Sequence, residues 1–226
     1  MIAVGTLPHD RTSFTEGLAF WRGRLFESSG LYGQSVLREL DPRSGRALRQ
    51  AALAATYFGE GITILNGSLY QLTWKEHTCF VYDAASFQPQ RQLAYDGEGW
   101  GMTNDGSSLI TSDGSAHLRY RDPASFRATR TLRVTSAGRP VEHLNELEYI
   151  HGEIWANVWP TSTIVRISPG DGHVIAVLDA GKLFEAALRS GNPDDVLNGI
   201  AFDPASGTVL VTGKRWPTIY QLALPK

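Results

Sequence analysis

An all-β, five-bladed β-propeller is the fold predicted by this 226-residue sequence. Two observations carry the prediction: a segment of similar pattern recurs five times at blade-sized spacing, and each copy alternates short apolar strands with turns built on Gly, Asn and Asp. The copies read FTEGLAFWRGRLFESSG from Phe14, FGEGITILNGSLYQLTW from Phe58, GEGWGMTNDGSSLITSDG from Gly97, HLNELEYIHGEIWANVW from His143 and DVLNGIAFDPASGTVLVTGKRW from Asp195. In register they place Glu16, Glu60, Trp100, Asn145 and Asn198 at one equivalent position, at intervals of 44, 40, 45 and 53 residues. Antiparallel units of about forty residues predict four-stranded blades around a central channel.

Within each copy a strand of about six residues meets a tight turn and a second strand. Third strands follow as SVLRELDPRSG, TCFVYDAASF, LRYRDPASF, TIVRISPGDG and TIYQLAL, with the Pro, Asp, Ser and Gly that chain reversal needs. The last copy shows only three strands, so the strand-like N-terminal AVGTL is expected to complete blade five and close the ring. The longest interval contains GKLFEAALRSGNPDD, where Leu183, Phe184, Ala187 and Leu188 recur at helical spacing and predict a short helix inserted before blade five. One domain over residues 1–226 is expected.

Composition removes several function classes. Lys plus Arg number 21 against 23 Asp plus Glu, a net charge of −2 with no basic stripe, so nucleic acid is not an expected partner. Apolar runs are short, and the opening MIAVGTLPHD has neither the basic nor the apolar region of a signal peptide, so no membrane association is expected. The lone cysteine, Cys79 in HTCFVYD, reads as a buried strand residue and permits no internal disulfide. The six histidines lie in no metal-ligand spacing and read as surface or turn residues, and no Gly-x-Ser-x-Gly elbow marks a nucleophilic serine.

In a propeller the innermost strands line the channel, so residues that open them become spatial neighbours. The register therefore gathers Glu16, Glu60, Asn145 and Asn198 around one end of the axis, with Trp100 at the fifth place. Trp74 and Trp159 each lie 14 residues beyond this position in their own copies, and Lys214 and Trp216 follow the second strand of the fifth. Asp113 of SDG reads as a turn residue at the place that Trp74 and Trp159 occupy elsewhere. Carboxyls, amides, a lysine and converging indoles form a constellation that packing alone does not call for.

The strings FTEGL, LFESSGLYG, FGEGIT, YQLTW, GWGM with SDG, LNELEYI, GEIWANVWPT, VLNGIAFD and VTGKRWP, in this order from about Pro8 to Leu222, resemble the plant and bacterial type of glutaminyl cyclase, the glutamine cyclotransferase family. The resemblance implies conversion of N-terminal glutamine to pyroglutamate with release of ammonia. It implies Glu60 as the acid/base, Trp74, Trp100 and Trp159 as the lining, and Asn145 and Lys214 as substrate-binding residues. Glu16 stands where plant members tend to carry glutamine, and is a candidate partner for the substrate's α-ammonium. Peptides or proteins with N-terminal glutamine are the implied partners, free glutamine being left open. No cofactor is required, the expected state is a monomer, and family resemblance places the mature form in the periplasm or outside the cell.

Two other readings stay open at this stage. Glu16, Asn145 and Asn198 are oxygen ligands of the kind that hold Ca²⁺, as in a metal-dependent lactonase or hydrolase on a propeller, and a structural calcium at the hub is compatible with either chemistry. A propeller that binds peptides without catalysis is the third, because fold alone never implies reaction.

Overall fold

The alternating segments become strands where their patterns place them, as seen in the computed structural model, which describes residues 2–181, 183 and 192–224. Strand β1 spans Ile2–Pro8. Blade one comprises β2 (Thr15–Trp21), β3 (Arg24–Ser29), β4 (Val36–Leu40) and β5 (Ala47–Ala52), and blade two β6 (Gly59–Leu65), β7 (Ser68–Thr73), β8 (Thr78–Asp83) and β9 (Pro89–Ala94). Blade three is built from β10 (Met102–Asn104), β11 (Leu109–Thr111), β12 (His117–Arg121) and β13 (Ala128–Arg133), and a small hairpin of β14 (Thr135–Ser136) and β15 (Arg139–Pro140) follows it. Blade four comprises β16 (Leu144–Ile150), β17 (Glu153–Val158), β18 (Thr163–Ile167) and β19 (Val174–Asp179); β20 (Leu197–Asp203), β21 (Thr208–Gly213) and β22 (Thr218–Ala223) belong to blade five. The expected helix falls largely on residues 182 and 184–191, outside the described residues.

Every blade is an antiparallel meander, and β1 pairs with β22 to supply the fourth strand of blade five. Two-residue turns at Arg22–Gly23, Asn66–Gly67 and His151–Gly152 join first to second strands with positive φ at both positions, the geometry whose twist matches the hairpin. Apolar side chains gather in five clusters, one between each pair of neighbouring blades, so the core is a set of wedges around the axis. Cys79 is buried in the wedge between blades two and three, where burial pushes its thiol pKa up.

The inner strands β2, β6, β10, β16 and β20 contact their neighbours all round the ring. Glycine permits the closest of these approaches: a Cβ on Gly101 would lie 2.0 Å from the Asn145 carbonyl oxygen and 2.7 Å from the Glu146 Cα. Blades one, two, three and five each carry glycine at this step, whereas blade four carries Glu146. Its buried carboxyl accepts the Ile200 N–H at 2.8 Å and the Leu18 N–H at 3.3 Å, tying blade four to blades five and one. Two residues on, the Glu148 carboxyl accepts the Phe202 N–H at 2.9 Å and the Thr103 hydroxyl at 3.3 Å. Burial pushes the Glu148 pKa up to about 8, and burial followed by the charge of Glu148 holds Glu146 well above the usual carboxyl range.

At the closing seam the structure departs from the reading of histidines as surface or turn residues. His9, just beyond β1, is buried: its Nδ1 lies 2.7 Å from the Trp216 carbonyl oxygen and its Nε2 2.7 Å from Glu27 of β3. Both ring nitrogens face acceptors, so the imidazolium is the form that satisfies both. Burial opposes that charge, but the charge and hydrogen bond of Glu27 outweigh it and the His9 pKa is raised. Glu27 also accepts the hydroxyls of Ser13 and Thr15.

Candidate active site

Each blade's polar group owes its direction to a local fault in the ladder. Register shifts fall between Thr15 and Gly17, Gly59 and Ile62, Leu144 and Leu147, and Leu197 and Ile200, leaving Glu16, Glu60, Asn145 and Asn198 in bulges. In blade three the Ser112 carbonyl accepts the Trp100 N–H while its hydroxyl accepts the Gly101 N–H. A bulge re-aims side chains that regular pleating would send into a blade interface. At the ends of the second strands, the N–H groups of Trp74, Trp159 and Lys214 bond to the carbonyls of Phe58, His143 and Val196, which fixes those three at matched places.

Together they enclose a cavity of about 350 Å³, lined by all seven residues singled out in the sequence: Glu16, Glu60, Trp74, Trp100, Asn145, Trp159 and Lys214. Phe14, Leu31, Phe58 and Asp194 complete the lining. Phe14 and Phe58 stand two residues before the two glutamates, a repeat visible in FTEG and FGEG that reads equally as packing. Asp194 precedes the fifth copy, where no pattern points to it. Asn198 is fully buried and does not line the cavity; its Nδ2 donates to the Thr15 carbonyl at 2.9 Å and to Glu16 at 3.0 Å. Asp113 is a turn residue, accepting the Ser115 N–H and pairing with Arg119. The next residue, Gly114, lies under the Trp100 ring, 2.8 Å from where its Cβ would be.

The aromatic walls meet edge to face. Trp100 and Trp159 have centroids 5.9 Å apart at 86°, and Phe58 and Trp74 5.5 Å apart at 63°. Lys214 Nζ donates to Glu16 Oε1 at 2.8 Å and sits 4.6 Å from the centroid of Phe14. Both oxygens of Glu16 are therefore engaged from within the protein, one by the Lys214 ammonium and the other by the Asn198 amide. Burial raises the Glu16 pKa against the lowering effect of Lys214.

Glu60 differs. It is 6% exposed and lines the cavity, and its carboxyl has no hydrogen-bond partner among the described residues. Burial first, then the charge of Glu16, lift its pKa well above the ordinary value; Glu98 and Glu76 add to the rise, and Lys214 opposes it. Asn145 Oδ1 also has no partner among the described residues. A carboxyl held near its proton in an aromatic box, with unspent amide capacity and a cation opposite, suits proton transfer to and from a small polar substrate.

The profile of the family described as glutamine cyclotransferase matches residues 1–224. This chain belongs to the glutamine cyclotransferase family. A glutaminyl-peptide cyclotransferase of Arabidopsis thaliana is 42% identical over 224 residues, which are 98% of this chain and 70% of that protein. The crystal structure of Myxococcus xanthus glutaminyl cyclase superposes with a TM-score of 0.91 at 38% identity, covering 97% of this chain and 94% of that one. The WD40 β-propeller domain of Doa1 aligns at TM-score 0.53 and 10% identity over 92% of this chain and 63% of its own, a likeness of fold alone.

Proposed function

We propose that this family member is a glutaminyl-peptide cyclotransferase whose chemistry runs at Glu60. The substrate's α-amine attacks its own γ-carboxamide carbon, a C–N bond forms to close the five-membered lactam, and the bond to the amide nitrogen breaks. The attacking nitrogen loses a proton and the departing nitrogen gains one, so a single carboxyl that takes the first and gives the second ends the cycle as it began. Nucleophile and electrophile belong to one residue, so the remaining task is to hold the side chain folded back on itself. Trp74, Trp100 and Trp159 supply walls for it.

In this reading Lys214 and Asn145 donate hydrogen bonds to the γ-oxygen as negative charge develops there. Glu16 serves by fixing Lys214. The reading takes the chain to act as a monomer, and its steps call on no metal or cofactor. The observation that carries this reading is the buried carboxyl of Glu60, which lines the aromatic box and has no hydrogen-bond partner among the described residues. Its test is ammonia release from a glutaminyl dipeptide, with mass spectrometry for the cyclised product. Glu60→Gln keeps the fold and substrate binding while kcat falls by about 10²-fold or more, and chelation leaves the wild type unaffected. Near-normal turnover in the variant removes Glu60 from the role.

A further inference from the structure

One carboxylate at the rim holds two walls of the box together. Glu98 lies in the turn between β9 and β10, where Gly99 presses on the end of β7 with its N–H on the Trp74 carbonyl at 2.9 Å. This brings Glu98 Oε2 to 2.8 Å from the Trp74 Nε1 and 3.0 Å from the Trp100 Nε1, so a single oxygen accepts both indole N–H groups. Lys75 steadies the pair from outside, its Nζ 3.8 Å from Glu98 Oε1 and 3.7 Å from the centroid of the Trp74 ring.

The aromatic lining consists of two edge-to-face stacks. Trp74 leans on Phe58, which meets Phe14 and Tyr32; Trp100 leans on Trp159, which meets His143. Glu98 is the link between them. A directed partner for its N–H fixes the azimuth of an indole at the rim, and a charged acceptor makes the stronger bond.

We infer that Glu98 is a positioning residue that sets the spacing and tilt of Trp74 and Trp100, and thereby the grip of the box on the glutaminyl side chain. The inference rests on the cyclotransferase reading for its kinetic consequence and on geometry for its structural one. The charge of Glu98 is a separate matter: Glu60 also faces Glu16, Lys214 and Glu76, while Glu98 faces Lys75. Glutamine at 98 keeps an acceptor oxygen and removes the charge; alanine removes both.

The experiment compares wild type, Glu98→Gln and Glu98→Ala by steady-state kinetics on a glutaminyl dipeptide, by the pH profile of kcat/KM, and by near-UV circular dichroism of the tryptophans. The expected result is a rise in KM of about tenfold in Glu98→Ala, with the smaller effect on kcat and an altered indole band, from losing two charge-assisted bonds on a partly exposed acceptor. Glu98→Gln restores KM and the indole band to near wild type, while the acid limb of its pH profile moves to lower pH. Unchanged KM and indole band in Glu98→Ala overturn the inference, as does a Gln variant as impaired as the Ala one. A wild type that turns over no glutaminyl peptide sinks the cyclotransferase reading instead, and the indole band still decides whether Glu98 holds the rings.

Discussion

Replacing Gly101 by alanine tests the link between blade packing and the site. The added Cβ would stand 2.0 Å from the Asn145 carbonyl oxygen and 2.7 Å from the Asn145 carbonyl carbon and the Glu146 Cα, where ordinary contact begins at 3.4 Å. All three obstacles are backbone, so no rotamer change relieves them and the strands β10 and β16 must part by about 1.4 Å. Overpacking that side chains can absorb costs about 1–3 kcal/mol. With backbone on both sides the expected loss lies at the upper end, about 3 kcal/mol.

Trp100 and Asn145 flank this contact, and a displacement of about 1 Å in positioning groups costs about 100-fold in rate. Urea unfolding followed by tryptophan fluorescence reads the stability, and kcat/KM on a glutaminyl dipeptide reads the site. Gly170→Ala is the control, since its Cβ would meet only Ser168 Oγ at 3.8 Å. A Gly101→Ala protein within about 0.5 kcal/mol of wild type and fully active would refute the reasoning.

Further expectations follow from the buried charges. Glu148 keeps its proton up to about pH 8 in the fold but ionises near pH 4.3 in an unfolded chain, so it favours the fold below that lower value and its contribution is lost as pH rises toward the upper one, by at most about 5 kcal/mol. Glu148→Gln should flatten the fall in stability between pH 5.5 and pH 8.5 in urea titrations; parallel curves would exclude the assignment. His9 gains a partner and a raised pKa, so its contribution is present below 6.5 and lost as pH climbs through the raised value. His9→Gln should therefore cost more stability at pH 6 than at pH 9, and an equal cost at both would argue against an imidazolium at the seam. Lys214→Met strands Glu16 without its cation, a loss of about 3 kcal/mol that deepens with pH, and adding Glu16→Gln should recover most of it; no recovery would show that the pair is not what the lysine stabilises.

The blades were legible because four of the five repeats open with a bulged strand, which leaves one conspicuous polar residue in register, and the third puts Trp100 at the same place. Trp74 and Trp159 were legible because the hairpin that follows has the same length in both copies. What escaped depends on which blades meet. Glu146 and Glu148 look like ordinary alternating positions in LNELEYI, and their work, accepting N–H groups of Leu18, Ile200 and Phe202, exists only once the ring has closed. His9 and Glu27 are joined across the seam by the same closure. Glu98 sits in a Gly-rich turn whose partners are indole nitrogens on two blades, and Glu16 and Lys214 pair although they stand 198 positions apart in sequence.

The seven residues around the cavity are drawn from every blade: Glu16 from the first, Glu60 and Trp74 from the second, Trp100 from the third, Asn145 and Trp159 from the fourth and Lys214 from the fifth. No stretch of chain shorter than the ring holds the complete set, and β1 must find β22 before the circle is complete. Catalytic capacity in a partly denatured sample therefore counts intact circles, falling in number and not in quality as molecules are lost. A backbone nick in an outer turn passes unnoticed for as long as the circle holds.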